Sequence, residues 1–415
     1  MKLERMDRAK TSRAVLSERL FLGLFAALLI VHCICNTSLL YAGVPWMNGV
    51  FLLKKLLSIA MLAKVLLFST RWAEEWIGLG VILLLGCASF LASGSLGLFE
   101  LFLVAAGADR TPPRKIVACF AAIKGAAIVL TLAAWRIGLL PDLVYANGSK
   151  QPYQTYGFCH RNVLAANIAV FCLAWLFLRY EKLNLADVLL SAAAALAVYR
   201  LASSRTGAVM VLLIGVGMYL CRRLEPLLRR AWWLPFAAVG IFLLFTALSL
   251  WCMLCYDKGS AFWTFLDSLF TTRVRSANFC YTEFGLSLFG QDIPFVSSIE
   301  AQAGQNTKLI LDNAYCRALL YYGLLPGAMF LLVYGWAVAS TARNGHLALM
   351  AGLLLMAVFG LSERYMMEAY YQLPFVLTFQ TLFLCPPRLA ERLQRLKRGA
   401  GNHAAGKNRH AFHSQ

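Results

Sequence analysis

The sequence predicts an all-α integral membrane protein with about twelve transmembrane helices and one large extracytoplasmic loop, and three observations carry this prediction. Of the 415 residues, 60% are hydrophobic and only 14% are charged, a surplus of apolar residues that a water-exposed surface cannot hold. Apolar runs of about 20 residues, the length that crosses the hydrocarbon layer, recur along the chain. Short basic clusters separate these runs.

The apolar runs are too continuous for the alternating pattern of a barrel strand, so each predicts a helix. The fourth run is short and flanked by glycines, which also fits a re-entrant segment. Membrane bundles of this size form one domain, so we predict a single polytopic domain over residues 20–385. The predicted spans are 20–42, 50–68, 75–92, 94–108, 115–137, 158–178, 183–201, 206–221, 232–254, 313–340, 346–362 and 367–385.

The basic clusters predict the orientation, because Lys and Arg in short loops mark the cytoplasmic side of a membrane. With the N-terminus inside, the clusters fall on one face, from the basic segment 1–19 to the basic tail 386–415. This predicts cytoplasmic termini and an outward-facing loop at 256–311. We therefore attribute the net charge of +19 to the orientation of the chain in the membrane, and we expect no nucleic-acid partner. The first run is too long for a cleavable signal peptide and is interpreted as a true span.

Several basic residues break this orientation rule, because they fall on or just beneath the predicted outer face. An arginine near the bilayer is costly unless it lines a wet cavity or meets an anion. Guanidinium groups donate paired hydrogen bonds to phosphate oxygens, so a set of them favours a phosphate or pyrophosphate site. Any single one could instead snorkel or pair with a carboxylate, as Glu363 could with Arg364. The set comprises Arg161, Arg205, Arg273, Arg275, Lys308, Arg317 and Arg364.

Four short motifs follow one another in the second half of the chain. Tyr156–Ala166 (YGFCHRNVLAA) opens one predicted span, and Ser203–Ala208 (SSRTGA) opens another. In the large loop, Arg273 is followed by Leu288-Phe289-Gly290, and Leu311–Tyr315 (LDNAY) then precedes a helix with a late Tyr-Tyr-Gly. This order resembles the O-antigen ligase/Wzy-type polysaccharide polymerase superfamily, and most of all the capsular or exopolysaccharide polymerases of Gram-positive bacteria. The resemblance covers roughly residues 150–340.

The resemblance implies a multi-pass glycosyltransferase of the bacterial cell membrane, with a GT-C-like bundle that needs no metal or other cofactor. Such an enzyme joins oligosaccharide units carried on undecaprenyl pyrophosphate into a surface polysaccharide of the capsule, exopolysaccharide or O-antigen type. Its partners would be the lipid-linked oligosaccharide, membrane lipid and a chain-length regulator. Asp312 stands where ligases of this superfamily carry a His, which favours a polymerase over a ligase.

The leaving pyrophosphate gathers negative charge in the transition state, so fixed cations beside it accelerate the reaction. Arg205 matches the family's membrane-edge arginine that holds pyrophosphate, and Arg273 matches its loop arginine. We expect Arg205, with Arg161 or Arg273, to carry this role, and Arg275 and Arg317 to extend the same pyrophosphate site.

The acceptor hydroxyl needs a base or a polarising acceptor. Asp312 is the first candidate, against the alternative that it merely caps the following helix. Glu363 is a second candidate and His160 a weaker third. Asn313 and Tyr315 are expected to contact sugar, although tyrosines at this spacing commonly pack into a core instead.

Two other functions stay open from the sequence. A ligase would use the same site to attach a finished glycan to a different acceptor. A lipid-linked oligosaccharide flippase or another transporter would also need a pyrophosphate site, but transporters commonly show two similar halves, and no internal repeat is visible here.

Overall fold

The computed structural model of the protein describes residues 2–69, 71, 73–109, 111–144, 153–297, 300–301 and 309–382, with side chains between residues 14 and 379. These residues are mostly α-helical and contain no β-strand, only the isolated bridges Thr37–Phe158 and Val296–Leu309. The predicted all-α class is confirmed for this part of the chain. Lys308 and the predicted tail 386–415 lie outside the described residues.

The helices are numbered here in chain order. They are α1 Lys2–Cys35, α2 Met47–Phe68, α3 Ala73–Ser93, α4 Gly97–Gly107, α5 Pro113–Arg136, α6 Arg161–Arg179, α7 Leu185–Ala202, α8 Arg205–Arg223, α9 Glu225–Leu228, α10 Leu234–Cys255, α11 Ala261–Leu269, α12 Arg273–Phe284, α13 Ala314–Leu320, α14 Leu324–Arg343, α15 Leu347–Gly360 and α16 Leu373–Leu382. Antiparallel neighbours pack together, including α1 with α2, α5 with α6, and α7 with α8.

Eight of the described helices are long and apolar enough to cross a membrane, which supports a membrane-embedded protein. The remaining four predicted spans do not meet that standard. Helix α2 has 22 residues but carries three lysines, whereas α4 has 11 residues and α15 has 14. Helix α16 is described for only 10 residues. The count of about twelve spans is therefore not confirmed.

Three predicted segments have a different secondary structure or different boundaries in the structure. The predicted span 313–340 is two helices, α13 and α14, because the chain turns at Tyr321-Tyr322-Gly323. The predicted loop 256–311 is not wholly irregular, since it contains α11 and α12. The predicted N-terminal segment 1–19 is continuous with the first span, because α1 runs unbroken from Lys2 to Cys35.

The basic clusters between helices gather at one end of the bundle. There, Arg222 lies 3.0 Å from Glu181 and 2.6 Å from Glu225, which joins the end of α8 to the end of α6. Arg179 lies 2.7 Å from Asp187 at the start of α7. At the opposite end, which we call the site end, the starts of α6, α8 and α13 meet the segment that follows α15.

The break between α13 and α14 depends on two glycines that touch. Gly323 has φ 98° and ψ 160°, a conformation essentially restricted to glycine. A Cβ at Gly323 would lie 2.2 Å from the amide nitrogen of Gly290, in the loop segment Leu288-Phe289-Gly290. Backbone hydrogen bonds join the same two segments, from Gln291 to the Tyr321 carbonyl at 3.2 Å and from Leu324 to the Ser287 carbonyl at 2.8 Å. This contact fastens the long loop onto the bundle.

We expect Gly323→Ala to destabilise the protein by about 1–3 kcal/mol from backbone strain alone, with the steric clash against Gly290 adding to it. The measurement is the thermal unfolding midpoint of the detergent-purified chain, followed by tryptophan fluorescence. Gly240→Ala is the matched control, because a Cβ there meets nothing within 4 Å. Equal midpoints for the two variants would show that the Gly323–Gly290 contact does not fix the loop.

Candidate functional site

Among the helices that begin at the site end, α6, α8 and α13 are each capped by a polar side chain from the motifs of the sequence. His160 caps α6 by accepting a hydrogen bond from the Asn162 amide at 3.1 Å. Ser204 caps α8 by accepting one from the Gly207 amide at 3.3 Å. Asn313 caps α13. Such caps satisfy amides that would otherwise lack partners, so the motifs fix where these helices start.

Glu363, which follows α15, is the centre of the polar network between these helix starts. Its side chain is only 4% exposed, and its Oε1 accepts hydrogen bonds from Arg273 Nη2 at 2.7 Å and Asn162 Nδ2 at 3.0 Å. Asn162 Oδ1 in turn accepts from the Ser204 hydroxyl at 3.1 Å. A buried carboxylate therefore ties α6, α8 and the loop helix α12 to the end of α15.

Asp312 is the freer of the two carboxylates at this place. Its side chain is 24% exposed and lies 3.8 Å from Arg273 Nη2. It does not cap α13, because the next residue, Asn313, supplies the cap through its Oδ1 to the Cys316 amide at 3.0 Å. The capping alternative for Asp312 is thus wrong, and the carboxylate is left for other partners.

Asp312 and Glu363 both face a cavity of about 310 Å³, which we call the Asp312 cavity. Its charged lining among the described residues consists of two arginines and four carboxylates. They are Arg317, Arg364, Glu300, Asp312, Glu363 and Glu368. Its size is that of a small-molecule site, and its acidic lining suits the activation of hydroxyl groups.

Burial raises the pKa of Glu363 to about 8. The Arg273 and Arg364 guanidiniums oppose this rise, and the nearby Asp312 carboxylate adds to it. The Glu363–Arg364 pair considered from the sequence does not form, because Arg364 Nε lies 3.3 Å from Glu368 and Glu363 pairs with Arg273. A carboxyl group that titrates near neutral pH inside a polar cavity is a common feature of functional sites.

The five arginines expected to bind pyrophosphate do not share one cavity. Arg205 and Arg275 are exposed, and their side chains have no partner among the described residues. Arg161 stacks on the Tyr153 ring at 3.7 Å and donates to the Ser203 carbonyl at 3.4 Å. Arg273 is engaged by Glu363. Sequence position set their depth in the bundle but not the direction of their side chains. None of the cavities described here gathers all five, and their binding of pyrophosphate stays a prediction.

Arg317 is the exception among these five. It is 7% exposed, its guanidinium carbon lies 4.4 Å from the centre of the Phe295 ring and 4.5 Å from the centre of the Tyr321 ring, and its Nη1 donates to the Leu311 carbonyl at 3.2 Å. The structure gives it no ion pair with any described carboxylate. Its guanidinium lines the Asp312 cavity.

The two residues expected to contact sugar are held in structural roles. Asn313, besides capping α13, donates to Ser249 Oγ at 3.0 Å and to the Leu361 carbonyl at 3.1 Å, which uses its whole amide. Tyr315 is fully buried, and its hydroxyl donates to the Ala357 carbonyl at 2.8 Å. Neither side chain faces the Asp312 cavity, so the packing alternative describes Tyr315.

Sequence reasoning missed a second group of charged residues, which lie inside predicted spans. Lys54 Nζ lies 2.9 Å from Glu100 Oε2, and Glu100 Oε1 accepts from Ser58 at 2.9 Å. Lys124 is fully buried and donates to Asn167 Oδ1 at 2.7 Å. Their signal was present, because ionisable residues within a membrane span are rare and commonly functional.

In comparisons with known proteins, no family model, curated protein or solved structure matches the chain.

The titration of Glu363 predicts how stability depends on pH. Because its folded pKa of about 8 lies above its ordinary value, the folded protein holds this proton more tightly than the unfolded chain does. Stability is therefore lost as pH rises through 8. Glu363→Gln cannot ionise at this position. When the pH is raised from 6 to 9.5, we therefore expect the thermal unfolding midpoint of the wild type to decrease more than that of Glu363→Gln.

Arg273→Ala removes the cation that favours the ionised carboxylate, so the pKa of Glu363 should rise further and the loss at high pH should grow. Arg275→Ala, an exposed arginine on the same helix, is the control and should follow the wild type. Parallel pH curves for the wild type and Glu363→Gln would contradict this account.

Proposed function

We propose that the protein is a membrane polymerase that joins oligosaccharide units carried on a lipid pyrophosphate into a longer polysaccharide. The observation that carries this proposal is the partly exposed carboxylate of Asp312, which faces a cavity at the site end next to the buried Arg273–Glu363 pair. Four separate sequence motifs, spread along the chain between Tyr156 and Tyr315, converge there or fasten the loop beside it.

The reaction forms one bond and breaks one. The oxygen of an acceptor hydroxyl bonds to the anomeric carbon of the donor sugar, and the bond from that carbon to the pyrophosphate oxygen breaks. The hydroxyl proton passes to a base, and the electron pair leaves with the lipid pyrophosphate. The site must therefore supply one acceptor for a proton and one stabiliser for the leaving anion.

Asp312 is the proposed base. It is partly exposed in the cavity, accepts no hydrogen bond from the described residues, and lies 3.8 Å from the Arg273 guanidinium. Glu363, whose Oε1 is already occupied by Arg273 and Asn162, acts as a positioning residue that holds Arg273 beside Asp312.

The proposed stabilisers of the leaving anion are Arg317 and Arg364, the two arginines that line the cavity. Arg205 and Arg161 lie close by at the starts of α8 and α6, and we assign them to the initial capture of the lipid headgroup at the surface. With the site end outside and the basic end inside, the positive-inside rule gives an extracytoplasmic reaction and cytoplasmic termini.

Asp312→Asn is expected to lower the polymerisation rate by about 10²–10⁴-fold, because a general base contributes that much. The assay is conversion of purified lipid-linked repeat units into longer chains by the detergent-purified protein, read as a ladder of products. Asp292→Asn is the control, since Asp292 is an exposed aspartate of the same loop segment. Long ladders from Asp312→Asn, with normal expression, would contradict the assignment of the base. A wild-type protein that leaves the units unchanged would contradict the polymerase itself.

Arg205→Ala is expected to raise the KM for the lipid-linked unit by roughly tenfold and to leave kcat within a few-fold, because an exposed cation that only captures the headgroup binds ground and transition states equally. Steady-state kinetics with graded substrate concentration measure both constants. A large fall in kcat with an unchanged KM would instead place Arg205 at the reacting atoms.

A further inference from the structure

A second cavity lies beside the Asp312 cavity at the site end, and the mechanism above does not use it. Its volume is about 360 Å³, and we call it the Lys54 cavity. The start of α2, the turn between α3 and α4, and the segment after α15 enclose it. Asn36, Arg317, Arg364 and Glu368 line both cavities, so the two share a wall.

The described residues of the two cavities carry opposite balances of charge. Four carboxylates and two arginines line the Asp312 cavity, whereas four basic residues and two carboxylates line the Lys54 cavity. The charged residues of the second cavity are Lys54, Lys55, Arg317, Arg364, Glu100 and Glu368. A group with two or more negative charges is therefore favoured by the second cavity over the first.

Ion pairing leaves two of these cations without a carboxylate. Lys54 pairs with Glu100 at 2.9 Å, and Arg364 pairs with Glu368 at 3.3 Å. Lys55 and Arg317 have no ion pair among the described residues. Two unpaired cations thus border one hollow from different helices, α2 and α13.

Arg317 is the stronger indication of the two, because its side chain is only 7% exposed. Burying a guanidinium without a carboxylate partner is costly, and only one of its hydrogen-bond donors, Nη1, has a partner in the described residues. The Phe295 and Tyr321 rings, whose centroids are 5.1 Å apart, both contact the guanidinium and restrict its position. Such a rigid, buried, incompletely satisfied guanidinium suits the paired oxygens of a phosphate.

We propose that the Lys54 cavity binds the pyrophosphate group of the lipid-linked donor, with Lys55 and Arg317 as its principal contacts. This inference rests on the proposed function and, of the five arginines that the sequence assigned to pyrophosphate, it keeps only Arg317 as a principal contact. The sugar then reaches past the shared wall, so that its anomeric carbon lies on the Asp312 side while the leaving oxygen stays on the Lys54 side. In this arrangement, the acidic groups lie beside the acceptor hydroxyl and the basic groups lie beside the pyrophosphate.

The test is direct binding to the full-length, detergent-purified protein by isothermal titration calorimetry, with inorganic pyrophosphate in one arm and geranylgeranyl pyrophosphate in the other. Lys55→Gln is expected to weaken binding in at least one arm by about tenfold or more, as loss of a charged hydrogen bond does. Arg317→Gln should weaken it further. Lys55 is exposed, so its variant keeps the experiment valid even where Arg317→Gln fails to fold.

Lys258→Gln, at an exposed lysine that lines neither cavity, is the matched control and is expected to leave the affinity within about twofold of the wild type, because ordinary surface changes have small effects. Weaker binding in the lipid arm alone identifies a lipid headgroup, and weaker binding in both arms identifies pyrophosphate itself as the ligand; both support the site. Unchanged binding by Lys55→Gln, or an equal loss of binding by Lys258→Gln, overturns it. Since binding is measured without turnover, a failed polymerisation assay leaves this result standing on its own.

Discussion

A buried carboxylate organises the site end of this protein. Glu363 lies where water is largely excluded, so its oxygens must be partnered, and Arg273 and Asn162 both donate to Oε1. Those two donors come from the loop helix α12 and the first turn of α6, while Ser204 extends the network to α8. Four segments that are distant in sequence therefore converge on one side chain. The position of Asp312, and with it the chemistry we propose, depends on that convergence.

The acidic and the basic residues are divided between two adjoining cavities, and the proposed reaction needs such a division. A carboxylate must be ionised to act as a base, whereas a leaving pyrophosphate needs cations, and in one hollow the two would neutralise each other. Arg317 and Arg364 lie in the wall that the two cavities share, and in the proposed mechanism this wall would separate the base from the anion while both approach a single sugar. In the second cavity, Lys54 and Glu100 form an ion pair, so each neutralises the charge that the other places inside an apolar helical bundle.

The sequence was most informative about features that depend on composition along one helix. Apolar length located every long helix, and short motifs located the caps of α6 and α8. It could not predict the break at Tyr321-Tyr322-Gly323, because that turn exists through contact with Gly290 in a distant loop. Nor could it tell that Arg317 points inward while Arg205 points outward, since direction is set by the packing of neighbouring helices. Lys54 and Glu100 were visible as charges within spans, yet their pairing belongs to the tertiary structure.

The order of Asp312 and Asn313 shows how small a change separates a structural role from a chemical one. Either side chain can cap a helix, and the residue that does so gives its oxygen to a backbone amide. Here α13 begins at Ala314, so Asn313 is the cap and its amide is fully used. Asp312, one residue earlier, keeps its carboxylate clear of the helix and within 3.8 Å of Arg273. The neutral side chain thus serves the fold and the ionisable one faces the cavity, an arrangement that a helix starting one residue earlier would reverse.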